Sequence, residues 1–168
     1  MNPKGHSTHL RRFRTAEVGR LYCLTFVTHQ RRRLFSNWPS AKPVIDALKQ
    51  AQAEGKGQSL AWVVMPDHVH WLVRLQARAL SELARKLKSR ATVGLRARGV
   101  TGPVWQDGYY DQAIRNLADA VDHARYIVLN PVRAGLVSSV RFYPMWDSIW
   151  VGDPEGVFGM VDAYVLGR

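Results

Sequence analysis

Apolar and polar positions alternate over short runs in some parts of the chain and recur at helical spacing in others. LYCLTFVTH (21–29) is β-branched and aromatic with partial alternation, which predicts a strand. SAKPVIDALKQAQAEGKG (40–57) predicts a helix with Ser40 as N-cap and Gly55 as its stop. SLAWVVM and HVHWLVRL are apolar runs separated only by Pro66 and Asp67, a pair suited to a tight turn, so they predict a β-hairpin. In LSELARKLKSRATVGLRARG (80–99), Leu80, Leu83, Leu87 and Ala91 share one helical face, with Arg85, Lys86 and Arg96 on the other. VWQDGYYDQAIR (104–115) predicts an irregular strand bent at Gly108. NLADAVDHARYIVLN (116–130) predicts a helix capped by Asn116 and ending before Pro131. Its expected core stripe is Leu117, Ala120, Val121, Ala124 and Val128. The tail beyond PVRAGLV is rich in glycine, proline and aromatics and is expected to lie over the domain.

Strands alternating with helices around one hairpin predict an α+β sandwich, an antiparallel sheet with helices packed on it. A doubly wound parallel sheet fits less well, because the hairpin forces antiparallel neighbours and no glycine-rich phosphate loop is present. A length of 168 residues suits one domain with a full core. No apolar run reaches the roughly 18–20 residues that span a bilayer. The N-terminus has no apolar segment of the signal-peptide kind. The lone Cys23 has no internal disulfide partner, so a cytoplasmic setting is expected.

Charge narrows the field. The formal net charge is +11, and the excess is clustered. Residues 1–33 carry Lys4, Arg11, Arg12, Arg14, Arg20, Arg31, Arg32 and Arg33 against the single acid Glu17, and Arg85 to Arg98 adds six basic residues without an acid. Such clustering is the footprint of a protein that binds a phosphate backbone; a basic soluble surface and a membrane-surface protein are the alternatives.

His68 and His70 stand one residue apart in VVMPDHVHWLV. Positions i and i+2 of a strand share a face, about 6.6 Å apart, with Val69, Trp71 and Val73 on the other. Two imidazoles so placed can converge on one divalent cation, or they can be half-buried residues hydrogen-bonded to neighbours. Two ligands fall short of a structural zinc site, so a cation there would be held openly, with room for oxygen ligands. On the 116–130 helix Tyr126 falls opposite the core stripe, among Asp119, Asp122, His123 and Asn130, with Asn130 one turn away. It reads either as a surface residue or as a nucleophile beside a cation site. Tyr109 and Tyr110 are its rivals.

At these residues the chain resembles a known family. MPDHVHWLV resembles the His-hydrophobic-His (HUH) motif of single-tyrosine transposases, and ARYIVLNPVRAGLV is similar to the tyrosine helix of their REP-associated branch. YCLTFVTHQRRRLF and VWQDGYYDQAIRN are similar to the same branch, so the likeness covers roughly residues 20–137 in the family's order. The resemblance implies a ferredoxin-like sandwich with the HUH motif on a central strand. It implies Mg²⁺ or Mn²⁺ held by His68 and His70, Asn130 as third ligand, and Tyr126 as nucleophile. The implied substrate is single-stranded DNA folded into an imperfect palindromic hairpin and cut beside a short flank. The chain then divides into a basic segment (1–19) placed like one that reads the flank, a catalytic domain (20–137) and a C-terminal tail (138–168), with a monomer favoured over a homodimer.

The expected activity is metal-dependent cleavage and rejoining of single-stranded DNA through a covalent 5′-phosphotyrosine. Arg11, Arg12, Arg14, Arg31, Arg32, Arg33, Arg85, Lys86 and Arg96 would hold the backbone, while Trp105 and Tyr109 would stack on unpaired bases. Two other classes stay open: a non-catalytic nucleic-acid binder, and a metal-dependent nuclease that activates water.

Overall fold

The computed structural model describes residues 16–151. The elements run β1 (Leu21–Val27), α1 (Trp38–Ala53), β2 (Gly57–Met65), β3 (His68–Leu75), α2 (Leu80–Arg96), β4 (Tyr110–Ile114), α3 (Leu117–Arg133) and β5 (Trp146–Ser148). All five strands form one sheet in the order β4-β1-β3-β2-β5, with every neighbouring pair antiparallel. The first four strands with α1 and α2 make the β-α-β-β-α-β unit of a ferredoxin-like fold. This is the expected α+β sandwich, with β3, the strand of His68 and His70, in the middle of the sheet.

The register divides the sheet into two unlike faces. Leu24, Phe26, Val69, Trp71 and Val73 share the face packed under α1 and α2, and all five are fully buried. Two close approaches fix those helices. A methyl group at Gly57 would meet Val73 and Leu83, and one at Gly94 would lie 2.8 Å from the Pro43 Cβ where α2 crosses α1. Trp71 also donates its indole N–H to Ser59 at 2.9 Å, which satisfies the one polar atom of the largest core side chain. The opposite face carries Thr25, directly paired with His70, and is covered by α3.

Several boundaries differ from expectation, each for a local reason. α1 begins at Trp38 because Asn37 caps it, accepting from the Ser40 backbone N–H while the Ser40 hydroxyl accepts from the Asn37 N–H. Ser40 is therefore the third residue of a capping box rather than the N-cap. Between 104 and 115 only Tyr110–Ile114 is strand, since Trp105 makes an isolated bridge to Thr28 and Gly108 turns the chain with a φ of +71°. α3 does not stop before Pro131 but runs through it to Arg133. Proline lacks the N–H that would reach the Ile127 carbonyl, and the Asn130 side-chain amide donates there instead, at 3.3 Å, and to the Tyr126 carbonyl at 2.9 Å. The buried stripe of α3 is Ala120, Ala124, Ile127, Val128 and Pro131, while Leu117 is exposed. In the tail, β5 adds a fifth strand to the edge of β2, too short at three residues to show alternation in the sequence.

Candidate active site

The β2–β3 turn sets the position of the first histidine. Thr28, fully buried at the end of β1, donates its N–H and its hydroxyl to the Asp67 carbonyl, and the Phe35 N–H donates to the Pro66 carbonyl. With the turn clamped, the Asp67 carboxylate lies 2.6 Å from the His68 Nδ1. On its other oxygen it accepts from Arg31 at 3.1 Å. Partial burial pushes the Asp67 carboxyl up, but the hydrogen bonds from His68 and Arg31 outweigh burial and hold it below the usual carboxylate range. An ionised carboxylate only accepts, so the His68 Nδ1 is the donor in this bond and Nε2 is the ring nitrogen turned away from Asp67.

His70 is held from the neighbouring strand. The Thr25 hydroxyl oxygen sits 2.8 Å from its Nδ1. Burial, followed by the proximity of His68, pulls the His70 pKa down to about 4, so the ring is neutral over the ordinary pH range. The two imidazoles lie 4.9 Å apart, edge to face. Both have Nδ1 engaged by a neighbour, which is the support that metal-binding histidines use to present Nε2. Among the described residues no group of three or more His, Cys, Asp or Glu side chains is placed to hold a metal ion. The donor chemistry that fits here is two imidazole nitrogens completed by neutral or substrate oxygens, the pattern of an open catalytic site rather than a closed structural one.

α3 brings Tyr126 to the same place. Its ring centroid is 6.3 Å from that of His70, and 45% of the residue is exposed. A cleft of about 520 Å³ runs beside the pair, lined by Thr25, His70, Gln112, Asp119, His123 and Tyr126 among others. Cys23 opens onto the same cleft, but burial pushes its thiol up to about 11, which keeps it protonated and a poor nucleophile. The Arg133 guanidinium carbon stands over the Tyr126 ring, 4.5 Å from its centroid. Asn130, one turn beyond Tyr126, spends its amide N–H groups on helix carbonyls, so its side-chain oxygen is the end left to face outward. Of the rival tyrosines, Tyr110 shares the face of Thr25, while Tyr109 packs against Phe26 on the opposite side, with ring centroids 6.0 Å apart.

The other expected contacts divide among several places. Arg11, Arg12 and Arg14 lie outside the described residues. Arg31 reaches the histidine site through Asp67. Arg32 donates to the carbonyls of Thr101 and Pro103, and Arg33 is exposed. Arg85, Arg96 and Tyr109 line a separate groove of about 520 Å³ beside α2, and Lys86 pairs with Glu82 at 3.2 Å. Trp105 is half-buried: its ring packs against Phe35 and Phe26, and its N–H donates to the Lys88 carbonyl and the Thr92 hydroxyl. Thr25, Asp67 and Arg133 belong to the site and were not read from the sequence as site residues. Asp67 was read only as a turn residue, and the position of Thr25 depends on strand register.

Residues 19–129 match the model of a family described as IS200-like transposases. A REP-associated tyrosine transposase of Escherichia coli (strain K12) is 36% identical over 86 residues, which span 50% of this chain and 50% of that protein. A Haemophilus influenzae protein provisionally given the same name is 25% identical over 160 residues, covering 82% of this chain and 90% of that one. The solved structure of a REP-associated tyrosine transposase bound to a REP hairpin superposes with a TM-score of 0.67, at 27% identity over 79% of each chain.

Proposed function

The chain belongs to the IS200-like transposase family, and from that premise we propose that it cleaves and rejoins single-stranded DNA at a hairpin, with Tyr126 as the nucleophile. The observation that carries the reading is the meeting of Tyr126 with the paired imidazoles, 6.3 Å from His70, beside the cleft between α3 and the central strand. His68, His70 and the Asn130 oxygen are the residues proposed to hold Mg²⁺ or Mn²⁺. When bound, such a cation supplies positive charge to a non-bridging oxygen of the scissile phosphate.

The protein's own part is largely positioning. Asp67 and Thr25 fix the imidazole rings, so no reorientation is needed when substrate arrives. α3 holds the phenol at the mouth of the cleft, where an extended strand has access. Tyr126 attacks phosphorus, the bond to the 3′ oxygen breaks, and the phenolic proton ends, in net terms, on that departing oxygen. The products are a 5′-phosphotyrosine and a free 3′-hydroxyl. The ester retains the energy of the broken bond, so rejoining needs no nucleotide cofactor.

We place the catalytic unit at residues 20–137, with the basic segment 1–19 reading the flank beside the hairpin and residues 138–168 as a C-terminal tail, of which 152–168 lie outside the described residues. A monomer is the proposed working form. No helix among the described residues is long and apolar enough to cross a membrane.

The test is a denaturing gel with a labelled single-stranded hairpin oligonucleotide and Mn²⁺. The proposal expects a labelled protein band that survives denaturation, vanishes in Tyr126→Phe and persists in Tyr110→Phe. Cut DNA without an adduct, unaffected by Tyr126→Phe, would establish a water-using nuclease instead. Binding without cutting would establish a non-catalytic binder.

A further inference from the structure

Among the described residues the cation that lies over the proposed nucleophile has no ion-pair partner. Arg133 lies two turns along α3 from Tyr126, and its guanidinium carbon is 4.5 Å from the centre of the phenol ring. Among the described residues no ion pair includes Arg133, although other arginines of the fold are paired: Arg31 with Asp67, Arg90 with Glu54 and Arg125 with Asp122. Arg133 is exposed at the C-terminal end of α3, beside a ring whose centroid is 6.3 Å from that of His70. A guanidinium here uses its face for the aromatic ring and keeps its planar fork of N–H donors free. Tyr126 therefore lies beside both His70 on the sheet and the guanidinium on its own helix.

Resting on the reading of Tyr126 as nucleophile, we propose that Arg133 is a phosphate-binding residue of this site. It would hold the phenol ring by stacking and meet a non-bridging oxygen of the scissile phosphodiester from the side away from His68 and His70. The phosphodiester carries one negative charge before attack, and further negative charge gathers on the non-bridging oxygens as the Tyr126 oxygen bonds to phosphorus and the 3′ oxygen departs. A guanidinium held against the ring that carries the attacking oxygen would stabilise that added charge without reorganisation. The same contact would hold the phosphotyrosine diester in place until a second 3′-hydroxyl attacks and Tyr126 leaves. Lysine would not reproduce this arrangement, because an ammonium is a point charge that lacks the planar fork.

The experiment measures single-turnover adduct formation with a labelled hairpin oligonucleotide in Mn²⁺, together with the hairpin's dissociation constant by fluorescence anisotropy, for wild type, Arg133→Lys, Arg133→Gln and Arg133→Ala. The expected result for Arg133→Gln is a fall of about 10²- to 10³-fold in adduct rate, the range for losing one oxyanion donor, with hairpin affinity within about threefold. Arg133→Lys should recover only part of that rate. Arg133→Ala should be accelerated by guanidinium ion at low millimolar concentration and not by the same concentration of sodium, a response that a purely structural residue does not give. An Arg133→Gln rate within threefold of wild type overturns the proposal while leaving the nucleophile reading intact. So does a loss of rate matched by an equal loss of affinity, which would make Arg133 an ordinary backbone anchor. Absence of any adduct from wild type would overturn the nucleophile reading and this inference with it.

Discussion

Thr25 and His70 face each other across the β1–β3 ladder, with the threonine hydroxyl 2.8 Å from the imidazole Nδ1. The pairing is cross-strand, so the orientation of a ring on one strand is decided by a side chain 45 positions earlier. Thr25→Val keeps the shape and removes the hydroxyl. The expected outcome is a 10- to 100-fold loss of Mn²⁺ affinity, the usual effect of deleting a partner that orients a metal-binding histidine. Isothermal titration of the protein with Mn²⁺ measures it. Circular dichroism should show the fold unchanged, with a stability loss of about 1 kcal/mol for one hydrogen bond.

His70 also makes stability depend on pH. Its folded-state pKa of about 4 lies below its ordinary value of 6.5, so between those limits the unfolded chain takes up a proton that the folded chain refuses. Stability from this group is complete above about pH 6.5 and is lost as pH falls through about 4, by roughly 3 kcal/mol in all. Urea midpoints should therefore decline over that window in wild type and decline less in His70→Gln. Equal slopes in the two proteins would show that the ring is not held neutral by its surroundings.

The α1–α2 crossing gives a prediction independent of the site. A β-carbon at Gly94 would stand 2.8 Å from the Pro43 Cβ, on a ring that has little freedom to yield. Gly94→Ala improves helix propensity by about 1 kcal/mol, yet the helices must separate, and overpacking typically costs about 1–3 kcal/mol. The net expectation is a lower melting temperature. A rise would mean that the crossing gives way easily.

Asn130 and Pro131 should behave as a couple. Asn130→Ala leaves the Ile127 carbonyl without the side-chain donor that reaches it, at a cost of about 1 kcal/mol. Adding Pro131→Ala restores a backbone N–H at that carbonyl, so the double variant should regain thermal stability. It should not regain Mn²⁺ affinity if the Asn130 oxygen is a ligand. Thermal melts and Mn²⁺ titrations of the two single variants and the double variant separate these roles.

These residues also mark what could be read from the chain and what could not. The histidine pair and the tyrosine were legible because each depends on the period of one element: i and i+2 on β3, and a position off the apolar stripe on α3. The hairpin was legible because Pro66-Asp67 interrupts two apolar runs. Thr25 was not, because its relation to His70 depends on register between strands distant in sequence. The packing of Trp105 against Phe26 and Phe35 was not legible either, since it joins residues distant in sequence. Arg133 was passed over because the helix was expected to end before it, and that expectation rested on a general property of proline that a neighbouring side chain offsets here.

That substitution of a side-chain amide for a missing peptide donor limits what residue 130 can be. Aspartate would attract a divalent ion more strongly, but its carboxylate has no hydrogen to offer the Ile127 carbonyl and would set a negative charge against it. The final turn of α3, which carries Arg133, would then lose the bond that bridges the proline. A neutral amide supplies the donor and, if its oxygen is the proposed ligand, the acceptor at once, so a change to aspartate at this position would have to replace Pro131 in the same step.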